Sequence, residues 1–172
     1  MKLKFNNIRD LADARYAAAM MAEWMGFETG GENDLSAAEI QEILGWCSGP
    51  TVVLEVKSGA NLDKIQSLLE LLPFTAIEAA GDNIENLKSR FGTSIQQWIA
   101  VDSASPDADF FHTPHLTSDN NSICRVNPGE TTPESVISAQ PVAMSLDCFD
   151  SVSTGIKDFE VWNHFFEELG LD

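Results

Sequence analysis

Five acidic residues each stand at the end of an apolar stretch with the length of a β-strand: Glu28, Glu55, Glu78, Asp102 and Asp147. If these strands run parallel and close into a barrel, their carboxyl ends converge on one mouth. A mouth lined by carboxylates could bind a divalent cation or a cationic amine. The alternative is that the acids cap loops and face water, because strand register decides which way each side chain points.

Two histidines, His112 and His115, stand in a polar segment close to Asp107 and Asp109. Imidazole and carboxylate groups are ligands for zinc and other transition metals. The spacing nevertheless matches no common zinc signature. We therefore expect two ordinary loop histidines here, and no metal site.

Arg125 is the one cation expected near the mouth after the sixth strand. Its guanidinium could hold a ligand carboxylate through two parallel hydrogen bonds. It could equally pair with Asp147 or Glu130 and bind nothing else.

The cysteines and tryptophans suggest core positions rather than chemistry. Cys47, Cys124 and Cys148 are odd in number and have neither metal-ligand nor disulfide spacing, so a reducing cytoplasm is expected. Cys124 and Cys148 alternate with apolar residues, which predicts buried thiols. The tryptophans expected in the core are Trp24, Trp46, Trp98 and Trp162.

Apolar strands and amphipathic helices alternate strictly up to the fifth strand, which favours a parallel α/β fold. Beyond it, the polar stretches before the sixth and seventh strands lack a helical period. The first strand carries Leu3, Phe5 and Ile8. The other predicted strands are Trp24–Thr29, Thr51–Val56, Phe74–Ala80, Trp98–Asp102, Phe110–His112, Ile123–Val126 and Val142–Leu146.

Helix starts are marked by residues that cap free backbone N–H groups. A Ser or Asp followed three residues later by Glu predicts a capping box, and Pro is favoured in the first turn. The predicted starts are Asp10, Ser36 with Glu39, Asp82 with Glu85, and Thr132 with Pro133.

Eight strands and about six helices in 172 residues predict a single domain, 1–172, with the TIM-like (β/α)8 architecture. Such barrels usually need ~250 residues, so this one should be shortened, with helices missing around strands 5–7. An open doubly wound sheet is the competing fold, but no glycine-rich phosphate loop follows the first strand. Walls left bare by the missing helices could support a homo-oligomer.

The net charge of −17 comes from 27 acidic and 10 basic residues. Such a field repels nucleic acid and anionic membranes, so neither is an expected partner. No apolar run approaches the ~20 residues of a membrane span, and no signal-peptide core follows Lys2 and Lys4. A cytoplasmic protein is expected.

Several segments together resemble the phosphoribosylanthranilate isomerase family, (β/α)8 barrels of tryptophan biosynthesis. The family opens with Lys-Ile-Cys-Gly-Ile, followed by Glu-Asp-Ala, Gly-Ala-Asp and Gly-Phe. Near the C-terminus it has Pro-Phe-Ala-Val-Asp-Val and Gly-Lys-Lys-Asp. The corresponding segments are Lys4–Ile8, Asp13–Ala14, Ala22–Glu23, Gly26–Phe27, Pro141–Leu146 and Gly155–Asp158.

The resemblance implies an Amadori rearrangement, in which a base removes a sugar proton and an acid protonates the ring oxygen. The family's base is the Cys of the first strand, and here that position holds Asn6. An amide cannot take a proton at neutral pH. The family's acid is an Asp, and here its position holds His112, which could donate a proton near neutrality.

The family's substrate-binding groups are also replaced. The family has an Arg after the second strand, but Glu28–Leu35 contains no Lys or Arg. The family's Gln and His of the fourth strand are replaced by Glu78 and Ala80. The Gly-Ser-Gly loop after the sixth strand becomes Thr113–Ser122. Gly129–Glu130 and Asp147–Phe149 stand where backbone amides would hold the phosphate.

These replacements predict a diverged barrel that has lost isomerase activity, needs no cofactor and binds an unknown small molecule or protein. One alternative is an enzyme with altered chemistry at the same mouth, using His112 and the strand-end carboxylates. The other is a residual isomerase.

Overall fold

The computed structural model describes residues 1–31, 34–102, 105–148 and 157–171. All eight predicted strands are present, close to their predicted bounds. Ile8 lies beyond the first strand, because the backbone of Asn7 turns into the left-handed region (φ 53°) and ends it. The strands are β1 (Lys2–Asn6), β2 (Trp24–Thr29), β3 (Thr51–Val56), β4 (Ala76–Ala80), β5 (Gln97–Val101), β6 (Phe110–Thr113), β7 (Ser122–Arg125) and β8 (Ala143–Asp147).

Six helices lie in the described residues. Asp10, Ser36 and Thr132 cap α1, α2 and α5 through their side chains, as predicted. The predicted capping box at Asp82 is wrong, because α4 begins after Asn83 and has no side-chain cap. The helices are α1 (Leu11–Ala19), α2 (Ala37–Leu44), α3 (Leu62–Leu71), α4 (Ile84–Phe91), α5 (Pro133–Ala139) and α6 (Glu160–Glu168).

The eight strands form one closed parallel barrel in chain order. β1 closes it by pairing with β8, from Lys2 opposite Ala143 to Asn6 opposite Asp147. The open doubly wound sheet is therefore excluded. Among the described residues no helix lies between β5 and β6 or between β6 and β7, as expected for the shortened barrel.

The barrel interior is apolar at the amino ends of the strands and polar one layer higher. Side chains two residues apart on a strand point to the same face. The lower layer contains Trp24, Val53, Ala76, Ile99, Ile123 and Ala143, with Phe110 packed against it. The residues two positions further along these strands include Gly26, Glu55, Glu78, His112, Arg125 and Ser145.

A second, larger apolar core lies between the barrel and its helices. Phe5 on the outer face of β1 contacts Trp162 of α6, with ring centres 5.4 Å apart. Cys124 and Cys148 are buried free thiols, as predicted. Within the described ranges, no helix is long and apolar enough to cross a membrane.

The expectation of bare walls around β5–β7 is wrong for these residues. Trp98 is 3% exposed, and Ala100 and Cys124 are fully buried. Ala108 and Leu116, from the connecting segments, pack against the larger apolar core. These short irregular segments cover the barrel where helices would otherwise lie. A homo-oligomer remains a prediction, but exposed barrel walls no longer support it.

Trp46 was predicted to lie in the core, and this is wrong. Its side chain is 67% exposed, just beyond the end of α2. The guanidinium carbon of Arg15 lies 5.7 Å from the ring centre, a cation–π contact made at the surface.

Candidate functional site

Lys4 lies at the centre of the polar layer and is fully buried. Its Nζ lies 2.5 Å from Oε1 of Glu55 and 3.0 Å from Oε2 of Glu78, and it donates a hydrogen bond to Oδ1 of Asn6. Burial alone would lower the pKa of Lys4, but the two carboxylates outweigh it and raise that pKa. Lys4 is therefore an ammonium at neutral pH, and not a nucleophilic amine.

Glu55 is held in place by a glycine and a backbone amide. A Cβ atom on Gly26 would lie only 1.9 Å from Oε1 of Glu55, so the carboxylate occupies the space that glycine leaves empty. Oε2 accepts a hydrogen bond of 2.9 Å from the N–H of Asn7, whose left-handed backbone suits asparagine. Burial raises the pKa of Glu55, and Lys4 opposes that rise.

His112 is enclosed on both sides of its ring and is 4% exposed. Its Nδ1 lies 3.4 Å from Oε2 of Glu78, and its Nε2 shares a hydrogen bond with Oγ of Ser145. Burial lowers the pKa of His112 despite the neighbouring Glu78, so the ring is neutral at pH 7. Burial would raise the pKa of Glu78, but Lys4 and His112 together lower it to about 2.

Ser145, His112 and Glu78 follow the order of nucleophile, base and carboxylate found in serine hydrolases. A catalytic nucleophile must contact the carbonyl of its substrate. Ser145 is fully buried and belongs to the lining of neither cavity at the mouth. In this arrangement the three side chains cross-link the barrel interior and present no nucleophile to a ligand.

Above the polar layer the strand ends enclose a cavity of about 330 Å³. It brings together seven of the eight predicted site residues; His112 is the exception. The lining includes Asn6, Glu28, Glu55, Glu78, Asp102, Arg125 and Asp147, together with Lys57.

A second cavity of about 360 Å³ adjoins the first at the ends of β5, β6 and β7. His112 lines this one, together with Phe111, Thr113 and Pro114. The two cavities share Val101, Asp102 and Arg125.

The cations at the mouth each lie close to one of its acids. Nζ of Lys57 is 3.1 Å from Oε2 of Glu28, and Nε of Arg125 is 3.6 Å from Oδ2 of Asp147. Both pairs are partly exposed, so each contributes only about 0–1 kcal/mol to stability. Arg125 thus makes the predicted pair with Asp147 while remaining open to the cavity.

Asn6, which the resemblance places at the position of the isomerases' base, uses both ends of its amide within the protein. Nδ2 donates to Oδ1 of Asp147 at 2.7 Å, and Oδ1 accepts from the ammonium of Lys4. The amide therefore links the buried ion cluster to the acids at the mouth.

The described residues contain no group of three or more His, Cys, Asp or Glu side chains arranged to hold a metal ion. His115 is exposed, and Asp109 accepts the backbone N–H of Trp98 at 2.8 Å. Between Glu55 and Glu78, the ammonium of Lys4 already takes the place that a bound cation would use.

Sequence reasoning missed Lys4, Gly26 and Ser145. A signal was present, because Lys4 shares a strand face with Asn6 at a spacing of two, opposite the face of Leu3 and Phe5. A buried lysine needs a carboxylate partner. That requirement points to the two glutamates in the predicted strands.

Some segments behind the resemblance can be placed and others cannot. Glu130 is exposed and lines neither cavity at the mouth, whereas Asp147 lines the first. Phe149 and Gly155–Ile156 lie outside the described residues.

No protein-family model matches the sequence, and no curated protein matches it significantly. Solved structures do match. The chain is similar to phosphoribosyl anthranilate isomerase from Thermus thermophilus, with 17% identity, 99% of this chain and 98% of that chain covered, and a TM-score of 0.73. The match to the Thermotoga maritima enzyme has 15% identity, covers 99% of this chain and 98% of that chain, and has a TM-score of 0.70.

A third isomerase structure, in complex with reduced 1-(o-carboxyphenylamino)-1-deoxyribulose 5-phosphate, gives 15% identity, coverage of 99% and 98%, and a TM-score of 0.72. At such identities the likeness establishes the fold and leaves the activity open. Coverage is nearly complete in both directions, so the shortened barrel spans the whole architecture. The chain has the (β/α)8-barrel fold of the phosphoribosylanthranilate isomerases.

Proposed function

We propose that the barrel mouth binds a small ligand carrying a protonated amine, and that the chain does not catalyse phosphoribosylanthranilate isomerisation. The observation that carries this proposal is the lining of the first cavity, where five carboxylates face two cations. Each cation lies within ion-pair distance of one of those carboxylates. The buried ammonium of Lys4 also pairs with Glu55 and Glu78, so three cations in all oppose the five carboxylates. The remaining negative charge favours a cationic ligand and repels a phosphate.

The arrangement of Asn6 and His112 supports the loss of isomerase activity. Asn6 has no basic atom, and both ends of its amide are engaged. His112 is neutral, and its Nε2 bonds to Ser145 rather than facing the first cavity. The carboxylate of Asp147 would repel a phosphate, and its pairing with Arg125 reduces this repulsion without reversing the negative balance of the cavity.

Thermal unfolding with added ligand tests the binding proposal. Phenethylamine should raise the melting temperature, and ribose 5-phosphate at the same ionic strength should not. Asp102→Asn should weaken the response to the amine, whereas Asp119→Asn, an exposed loop change, should leave it intact. Turnover of phosphoribosylanthranilate by the unaltered chain would overturn the second half of the proposal.

A second candidate is a hydrolase-like enzyme, because Ser145 contacts His112 and His112 contacts Glu78, as in a catalytic triad. A fluorophosphonate probe followed by mass spectrometry separates the two. Labelling of Ser145 that disappears in His112→Gln would support the enzyme. The binding proposal predicts an unlabelled serine, because its hydroxyl is buried.

A further inference from the structure

We infer that the ligand is a zwitterionic α-amino acid with an apolar side chain, bound where the two cavities of the mouth meet. The inference rests on the proposed amine-binding function and adds a carboxylate and an apolar side chain to the ligand. It follows from a carboxylate and a guanidinium in the wall that the two cavities share, and from an adjoining apolar surface in the second cavity.

Asp102 is the acid at the junction. It lies directly after β5 in the left-handed region (φ 65°), is exposed, and lines both cavities. Within the described part of the chain, no side chain or backbone group hydrogen-bonds or ion-pairs with its carboxylate. Asp102 is therefore the carboxylate best placed to receive a ligand ammonium from either cavity.

Arg125 is the base at the same junction and also lines both cavities. Its contact with Asp147 uses Nε, and the side chain is 51% exposed. The two Nη groups have no partner among the described residues, which leaves donors for a ligand carboxylate. A guanidinium is better suited to a carboxylate than an ammonium is, because its N–H groups form a planar fork.

The second cavity supplies a surface for a side chain. Phe111 is half-buried, Pro114 is exposed, and both stand beside Val101 in its wall. A ligand side chain placed there would contact apolar atoms of Val101, Phe111 and Pro114 and bury apolar area. The first cavity is lined mainly by charged and polar groups.

A zwitterion fits this junction better than an ion of a single charge. An amine without a carboxylate leaves Arg125 without a ligand partner, and a carboxylic acid without an amine brings a second anion to Asp102. An α-amino acid can pair its ammonium with Asp102 and its carboxylate with Arg125, and its side chain can then enter the second cavity. The placement of opposite charges in one shared wall thus defines the ligand class.

Calorimetric titration with three matched probes tests the inference: L-phenylalanine, phenethylamine and 3-phenylpropanoate. L-phenylalanine should bind at least about tenfold more tightly than either analogue, equivalent to about 1.4 kcal/mol. Arg125→Gln should remove the advantage of L-phenylalanine over phenethylamine, and it should not weaken phenethylamine, because losing a cation leaves the mouth more negative. Asp102→Asn should weaken both amines, and Arg90→Gln, on the exposed face of α4, should alter none of the three.

The outcomes separate this inference from the proposal beneath it. If phenethylamine binds as tightly as L-phenylalanine and Arg125→Gln has no effect, the amino-acid inference fails and amine binding survives. If neither amine binds, both fail. Circular dichroism of each variant must match that of the parent, which is expected because the exchanged side chains are at least 40% exposed or lie at the rim.

Discussion

The Nζ of Lys4 lies 2.5 Å from Oε1 of Glu55, deep inside the barrel, although 51 residues separate the two in sequence. The contact replaces hydrophobic packing with a charged pair in the middle of the interior. The pair extends to Glu78 and Asn6, and through them to His112 and Asp147. The interior and the mouth are therefore one connected polar network.

Removing the central cation should destabilise the barrel strongly. Lys4→Met leaves two buried carboxylates without their partner, and breaking a buried pair in this way costs about 3–5 kcal/mol. Urea denaturation measures the change in the free energy of unfolding. Lys2→Met, on the same strand and paired with Glu23 at the surface, should cost less than about 1 kcal/mol. Equal losses in the two variants would contradict the assigned role of Lys4.

Gly26→Ala should be costly because the new methyl group meets Oε1 of Glu55. Glu55 cannot move away without losing Lys4 and the N–H of Asn7. Overpacking of this kind costs about 1–3 kcal/mol. Gly129→Ala is the control, because only Oδ1 of Asn127 lies near its added carbon, at 3.6 Å. A stability of Gly26→Ala equal to that of the control would refute the steric account.

The neutral state of His112 should make stability depend on pH. Burial lowers the pKa of His112 from 6.5, so below 6.5 the unfolded chain binds a proton that the folded chain does not. Its contribution is fully present above pH 6.5 and decreases as the pH falls through that value. Urea denaturation between about pH 5.5 and 7.5, roughly one unit on either side of 6.5, measures the free energy of unfolding. In His112→Gln this free energy should depend less steeply on pH than in the parent protein.

The control for this pH series is His164→Gln. His164 is 73% exposed on α6, so its exchange removes a histidine without disturbing the barrel interior. An unchanged slope in His112→Gln would mean that His112 has the same proton affinity in the folded and unfolded chains. Variation of net charge with pH affects all three proteins alike, so the comparison isolates the histidine.

A thiol at position 6, where the resemblance places the isomerases' base, should not give the chain isomerase activity. In Asn6→Cys the introduced thiol would stand among Lys4, Asp147 and a mouth that repels phosphate. We expect no turnover of phosphoribosylanthranilate, either in this variant or when it is combined with His112→Asp. Turnover in either variant would show that the binding site for the phosphorylated sugar is intact.

The sequence predicted the fold well because the signals for it are local. Apolar runs marked the strands, and the caps at Asp10, Ser36 and Thr132 depend on residues within one helical turn. The failures are long-range. The position of Trp46 depends on whether another element covers it, and none of the described elements does.

The site was predicted in part for the same reason. The strand-end positions made five carboxylates candidates for the mouth, with water-facing caps as the alternative, and in the structure all five line one cavity. The pairing of Lys4 with two of them depends on which face each strand turns inward, and on the space left by Gly26. These contacts connect β1 with β2, β3 and β4, so the sequence of a single segment cannot predict them.

The preference of the mouth for an amine over a phosphate is tested most directly by calorimetric titration of the unaltered protein with phenethylamine and with ribose 5-phosphate. At low ionic strength we predict binding of phenethylamine that weakens as salt is added, and no binding of ribose 5-phosphate. Binding of ribose 5-phosphate without any response to phenethylamine would contradict the account.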